Sequence, residues 1–195
     1  MRRAALGLKV RTGRAVVVAV AGSGDSPEIV AKTRIDVAFT FEEGAVFHVA
    51  QNYPTERAQA LVRERETLFT ERALAELRAF KAQFDLRVVG AGMAAPPVKR
   101  LPPIESILKT HPLLHAAEGE LYRRVYAEAC AKLRARPTRD PVEVLTKIIC
   151  DALGLKPAAF AKRLDAIGKA SGKPWAADQK EATLAAWCAL VKARD

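Results

Sequence analysis

An α/β fold is the class this sequence predicts, and three observations predict it. Residues 1–39 hold three apolar, partly β-branched runs joined by short glycine-bearing turns. The middle of the chain alternates helical with extended periodicity. The C-terminal half is a succession of helix starts and stops. With 195 residues and half of them hydrophobic, the chain can bury one sizeable core, and residues 1–195 read as one domain.

The elements follow in order. Leu6-Gly7-Leu8-Lys9-Val10 reads as a short strand, turned by Arg11-Thr12-Gly13-Arg14. Ala15 to Ala21, with Val16-Val17-Val18 at its centre, is a buried strand. Gly22 to Pro27 is a second turn. Glu28 to Phe39 alternates Ile29, Ala31, Thr33, Ile35 and Val37 against charged residues, the mark of a strand with one wet face. Three strands on two short turns make an antiparallel meander. Phe41 to Tyr53 is ambiguous. Pro54-Thr55-Glu56 opens a long helix to about Phe84, with a break expected near Thr67 to Thr70.

Asp85 to Gly90 is a fourth strand. Val88-Val89-Gly90-Ala91-Gly92-Met93-Ala94-Ala95 fits a dinucleotide pattern by letter, but Pro96-Pro97 follows where a helix N-terminus is required. The glycines therefore read as a sharp loop. Thr110-His111-Pro112 starts a helix to about Leu133, with Pro112 suited to the first turn. Arg136 to Arg139 is expected as a short fifth strand. Further helices start at Asp140-Pro141, Lys156-Pro157 and Pro174-Trp175, the first stopping at Gly154 and the last running to Lys192. The C-terminal half is thus helix-rich.

Composition limits the function classes. The net charge is +10, which attracts polyanions, DNA or RNA first among them. Arg134, Arg136 and Arg139 form the densest basic group, Arg2, Arg3, Lys9, Arg11 and Arg14 the next; Lys173 is a further basic candidate at the last turn. Aromatics are sparse, which disfavours a single-strand stacking platform. An arginine-rich, alanine-rich composition also fits a general bias without a polyanionic partner. The longest apolar run, Ala15 to Ala21, is far too short to span a bilayer, and Lys9, Arg11 and Arg14 break the stretch a secretory signal would need. The expected location is the cytoplasm, with no membrane partner. Cys130, Cys150 and Cys188 are widely spaced, form no zinc pattern, and read as small buried hydrophobes in a reducing compartment.

Three antiparallel strands, a helix, a strand, a helix, a short strand and a final helix is the order of the ribonuclease H-like fold. Leu6-Gly7-Leu8-Lys9-Val10-Arg11-Thr12-Gly13 resembles the Gly-Ile-Asp-x-Gly-Thr strand-turn of RuvC-type resolvases and of related sugar-kinase and actin-like ATPases. In the nucleases of that superfamily the middle of the strand carries a metal-binding carboxylate. Others come from the fourth strand or next helix and from the last helix, and two metal ions flank the scissile phosphate. The resemblance places candidate carboxylates at Asp178 in the last helix and at Glu118 and Glu120 in the helix after strand four. The first-strand position is Lys9, which has no acceptor and cannot ligate Mg²⁺, and strand four ends in Gly90-Ala91-Gly92. Lys9 would then supply the missing cation itself, pairing with Asp178 or Glu118, or else point to solvent from an edge strand.

His111, His115 and Glu118 share one helical face at i, i+4 and i+7. No second cluster in sequence completes a ligand set, His111 before Pro112 reads as a capping residue turned off the helix, and His48 stands alone. No metal is expected there. His115 beside Glu118 has the composition for acid–base work, with no substrate indicated. Tyr122 and Tyr126, and Trp175 and Trp187, read as packing residues.

Three function classes remain. One is a catalytically silent, nucleic-acid-associated or interaction module with Lys9, Glu118 and Asp178 as its degenerate site and Arg11, Arg14, Arg134, Arg136, Arg139 and Lys173 as phosphate contacts, needing no cofactor. The second is a divergent nuclease using Glu118, Asp178 and Mg²⁺. The third is a small-molecule-binding or structural protein whose charge is compositional.

Overall fold

Strands that are apolar at both alternating phases must be covered on both faces, and the layers follow from that requirement. A computed structural model describes residues 1–193. It holds five strands: β1 (Arg2–Arg11), β2 (Arg14–Gly22), β3 (Pro27–Asp36), β4 (Leu86–Ala94) and β5 (Thr138–Asp140). The helices are α1 (Phe41–Gly44), α2 (Val46–Ala50), α3 (Thr55–Gln83), α4 (Ile104–Ile107), α5 (His111–Lys132), α6 (Val142–Leu153), α7 (Pro157–Ala170) and α8 (Ala177–Lys192). The sheet order is β3-β2-β1-β4-β5. β1, β2 and β3 form the expected antiparallel meander, and β4 and β5 add in parallel to β1.

Ala4, Leu6, Leu8 and Val10 of β1 point to one face, with Ala15, Val17, Ala19 and Ala21 of β2. They pack under α3 and α5 through Phe69, Leu77, Leu121, Tyr122 and Tyr126. The other phase, Ala5, Val16, Val18 and Val20, meets Ala182, Ala186 and Leu190 of α8. α6 and α7 lie outside α8, closing a third cluster around Leu145, Ile149, Phe160 and Trp187. Trp187 donates its indole N–H to the Gly24 carbonyl at 2.9 Å, tying α8 to the β2–β3 turn. Tyr126 donates to the Ile35 carbonyl at 2.8 Å, so both tyrosines of α5 are packing residues with satisfied hydroxyls.

The approach of α8 explains two glycines. Gly7 and Gly92 face each other across the β1–β4 pair. A Cβ on Gly7 would sit 1.8 Å from the Ala182 carbonyl oxygen, and one on Gly92 2.4 Å from that of Ala185. Helix backbone therefore rests directly on sheet backbone. This corrects the reading of Gly90-Ala91-Gly92 as a loop: β4 runs through it to Ala94, because α8 needs a bare strand surface there.

Other boundaries differ in instructive ways. α3 is unbroken through Thr67 to Thr70; Thr70 is buried against the core and donates its hydroxyl back to the Glu66 carbonyl at 2.7 Å, so it needs no turn to satisfy it. β5 is present but begins at Thr138, and its arginine is paired inward rather than presented to solvent. Gly154 ends α6 at φ 61°, the left-handed cap expected of it. The ambiguous residues 41–53 form α1 and α2. The Thr40 hydroxyl accepts from Glu43 N at 3.1 Å, and the Glu43 carboxylate accepts from Phe39 N at 2.8 Å. Thr40 is thus the N-cap of α1, and Glu43 reaches back past it to the N–H of the preceding residue, a variant of the capping box whose letters, Thr40-Phe41-Glu42-Glu43, are present in the sequence. Among the described residues no helix is long and apolar enough to cross a membrane.

Candidate functional site

The residues singled out in the sequence separate into two places, on opposite faces of the sheet. The first is the end of β1 against the start of α8. Lys9 and Arg11 share the phase of Gly7, the α8-facing phase. Their spacing along the strand is about 6.6 Å. Asp178 and Glu181, one helical turn apart, are spaced by about 4.5 Å along α8. Strand and helix run antiparallel here, so the four charges meet as two rungs. The Lys9 ammonium pairs with the Glu181 carboxylate, their side chains 16% and 24% exposed. The Arg11 guanidinium pairs with Asp178 at 2.7 Å.

The Arg11 hydrogen bond holds the Asp178 carboxyl below its ordinary range against the opposing effect of burial, with further help from the charges of Arg11, Lys9 and Arg14. The expected partner of Lys9 was Asp178 or Glu118. The structure assigns it Glu181, because Arg11 already occupies Asp178 and Glu181 is the α8 carboxylate nearer the Gly7 contact. Lys9 is not a solvent-directed edge residue, since β1 lies between β2 and β4.

The second place is a cleft of about 490 Å³ on the α5 side. Gly13 and Arg14 of the first turn, Arg34, Asp36, Phe39, Phe41, His48, His111, His115 and Glu118 line it. Its floor is held by Tyr122, which donates to the Gly44 carbonyl at 2.8 Å and so fixes α1 and α2 on α5. Glu118 is 3% exposed. It accepts from the backbone N–H groups of Phe47 and His48 at 3.2 and 3.3 Å and from His48 Nδ1 at 2.8 Å.

Glu118 and Asp178 are thus not brought together. α5 and α8 cover opposite faces of the sheet, and each carboxylate has its own partners. Glu120 is committed elsewhere: Arg139 of β5 forks onto it with two contacts of 2.7 Å, and Arg123 adds one at 2.9 Å. Burial pushes the Glu120 carboxyl up, but Arg139, Arg123 and Arg124 together outweigh it and the net displacement is downward.

Arg139, expected as a phosphate contact, is therefore an internal counter-ion with a side chain 14% exposed. Arg136 is exposed and loosely paired with Glu128 at 3.3 Å. Arg14, Arg134 and Lys173 are exposed. Arg134 follows the C-terminal end of α5 while the cleft lies at its N-terminal end, about 30 Å away for a helix of this length. The basic candidates form separate groups rather than one patch. Lys173 sits in the α7–α8 turn that Lys32 clamps through Ser171 at 3.1 Å and the Pro174 carbonyl at 3.0 Å.

Sequence reasoning missed four things here. Glu181 carries no motif, and only the i, i+3 spacing from Asp178 could have flagged it. His48 is remote in sequence from His111 and His115, yet its ring lies 5.2 and 4.8 Å from theirs. His111 is not a cap turned off the helix: Thr110 is the cap residue, and the His111 and His115 rings meet at 4.4 Å. Phe39 and Phe41 are exposed at the cleft rim, 71% and 75%, an aromatic pair that low overall aromatic content concealed.

No family model matches the chain, and no curated protein matches it. Solved structures do. One is Thermus thermophilus RuvC in complex with Holliday junction substrate, with TM-score 0.58 and 11% identity over 98% of this chain and 95% of that one. Another is the structure of Thermus thermophilus RuvC, with TM-score 0.57 and 12% identity over 100% of this chain and 96% of that one. At such identity the likeness is one of fold, and the fold of this chain is ribonuclease H-like.

Proposed function

We propose that residues 1–195 form one ribonuclease H-like domain that acts as a nucleic-acid-associated module without metal-dependent cleavage of its own. The observation that carries this reading is the Lys9–Glu181 pair beside Arg11–Asp178. A two-metal centre needs several carboxylates converging on cations. Here the α8 carboxylates already face cations of the chain, one of them at the strand position where a carboxylate would otherwise stand. The ammonium satisfies the half-buried carboxylate charge and leaves no deficit for Mg²⁺ to fill.

Two further observations support the nucleic-acid part. The chain carries +10 net charge. One similar fold is a RuvC in complex with a Holliday junction. The divergent-nuclease alternative needs Glu118 and Asp178 at one site, and their helices lie on opposite sides of the sheet. A small-molecule or structural role has no specific contact in its favour beyond the cleft itself.

The test is fluorescence anisotropy with four-way junction, duplex and single-stranded DNA and RNA, repeated across a salt series. Saturable binding whose affinity falls steeply with salt, with a logarithmic slope of about −4 or steeper for four or more neutralised phosphates, is expected. The same substrates should stay intact in Mg²⁺ and Mn²⁺. Binding that is absent at low salt would defeat the nucleic-acid reading, and metal-dependent cleavage abolished by Asp178→Asn would defeat the non-catalytic one.

A further inference from the structure

Three imidazoles from two elements converge at the cleft: His48 from α2, and His111 and His115 one turn apart at the start of α5. One nitrogen of each lies within 4.8 Å of the others. We infer that His48, His111 and His115 form a site for a zinc-class transition-metal ion, with Glu118 as the residue that orients His48. This goes beyond the function proposed above and rests on separate observations.

The donor set is the first argument. Three neutral imidazole nitrogens suit Zn²⁺, Co²⁺ or Ni²⁺ and do not suit Mg²⁺ or Ca²⁺, which take oxygen ligands. The second is the partner of His48. A metal-ligating histidine characteristically donates its other ring N–H to a carboxylate, which fixes the tautomer and the ring plane. Glu118 is a carboxylate and can only accept, so the 2.8 Å contact puts the proton on His48 Nδ1 and leaves Nε2 with a free lone pair.

The third is charge. Glu118 is 3% exposed, and among the described residues its ion-pair partner is His48 alone. A buried carboxylate needs a positive charge nearby, and a cation bound through His48 supplies one. The fourth is geometry. Nitrogens at about 2.0–2.1 Å from a tetrahedral ion stand roughly 3.3 Å apart. The nitrogens lie within 4.8 Å of one another, about 1.5 Å from that spacing, and His111 and His115 are exposed residues.

Three nitrogens leave a fourth position. Open sites of that kind take water or an anion rather than serving as closed structural knots. The same cleft is lined by Arg14, Arg34, Asp36 and Glu118, with Arg34 paired to Asp36 at 2.6 Å, so water is the fourth ligand this site favours.

The experiment uses the full chain, stripped with chelator and titrated with Co²⁺ by visible absorption and with Zn²⁺ by calorimetry. One equivalent bound with the intense visible bands of a tetrahedral Co²⁺ centre is expected. The double variant His111→Ala/His115→Ala, altered only at exposed rings, should lose at least 100-fold in affinity while keeping its far-ultraviolet circular dichroism. Glu118→Gln should lose roughly 10- to 100-fold. No saturable one-to-one binding, or affinity unchanged in the double histidine variant, would overturn the site. Full affinity in a natively folded Glu118→Gln protein would overturn the role given to Glu118.

Discussion

Replacing Lys9 by aspartate tests the reading of the β1–α8 charges directly. The substitution removes the ammonium on Glu181 and sets a third carboxylate beside Glu181 and Asp178. Two unit charges about 4 Å apart interact by about 4 kcal/mol at an effective dielectric of ~20. Solvent lowers this ceiling here, because the two side chains keep 16% and 24% of their exposure. Lys9→Met, which deletes the attraction alone, should therefore cost about 1–2 kcal/mol. Lys9→Asp reverses the sign and should cost about 2–4 kcal/mol by the same estimate. In a chain of this size each kcal/mol lowers the melting temperature by about 2–4 °C, so K9D should melt roughly 2–8 °C below K9M in chelator.

Mn²⁺ should then close that gap in K9D alone. A cation at 100 times its dissociation constant stabilises the native state by about 2.7 kcal/mol, enough to offset the added repulsion. K9M keeps every other site in the protein and so serves as the reference for Mn²⁺ bound elsewhere. The assay is thermal denaturation by circular dichroism, with chelator and with millimolar Mn²⁺. If K9D melts with K9M in chelator, or gains no more than K9M from Mn²⁺, then Lys9 is not standing in for a cation among these carboxylates.

Four other outcomes are expected. Gly92→Ala should destabilise by about 2–3 kcal/mol, since its Cβ would sit 2.4 Å from helix backbone. Gly90→Ala, whose nearest contact would be an ordinary 3.5 Å, should be near neutral; urea midpoints of the pair decide it. The Glu120–Arg139 pair should contribute acid-dependent stability. The folded carboxyl lies below its unfolded value, so the contribution is complete above about pH 5 and fades as the pH falls through about 4 and below; the gap in stability between wild type and Arg139→Met should shrink accordingly. Cys150, the half-buried thiol, should react first with a thiol reagent in the native protein. Cys130, whose thiol burial pushes up to about 12, and Cys188, also raised by burial, should react only on unfolding. Arg134→Ala/Arg136→Ala should lower the salt slope of DNA binding by about 2 if both contact phosphates.

The meander was legible because β2 and β3 carry their patterns locally: Val16-Val17-Val18 in one, Ile29 to Val37 in the other. The helix starts at His111-Pro112, Pro141 and Pro157 were legible for the same reason, and so was the ribonuclease H-like order of elements. What escaped was whatever depends on contacts distant in sequence. Gly90 and Gly92 look like a loop until α8 is laid over them. Arg139 looks like a surface cation until the parallel pairing of β5 turns it onto Glu120. Lys9 was read either as pairing with Asp178 or Glu118 or as pointing to solvent; its partner, Glu181, depended on the phase of α8 against β1, which no local pattern encodes. The α1 and α2 segment is a different case. Its Thr40-x-x-Glu43 cap was present in the letters and marks the start of α1, but α2, which carries His48, follows Ala45, with no side-chain cap to announce it.

The contact of α8 backbone on the bare strands at Gly7 and Gly92 also limits motion. At these two glycines no side chain separates helix from strand, so there is little compressible material at the contact to absorb a shift. The start of α8 is then held in register with the end of β1 much as a rail is held by its seat. A partner arriving at Lys9 and Arg11 meets charges whose spacing is already set and must match it. The α5 cleft carries exposed His111, His115, Phe39 and Phe41, side chains that can adjust to the metal proposed there. The two faces of one sheet thus divide rigidity and compliance between them.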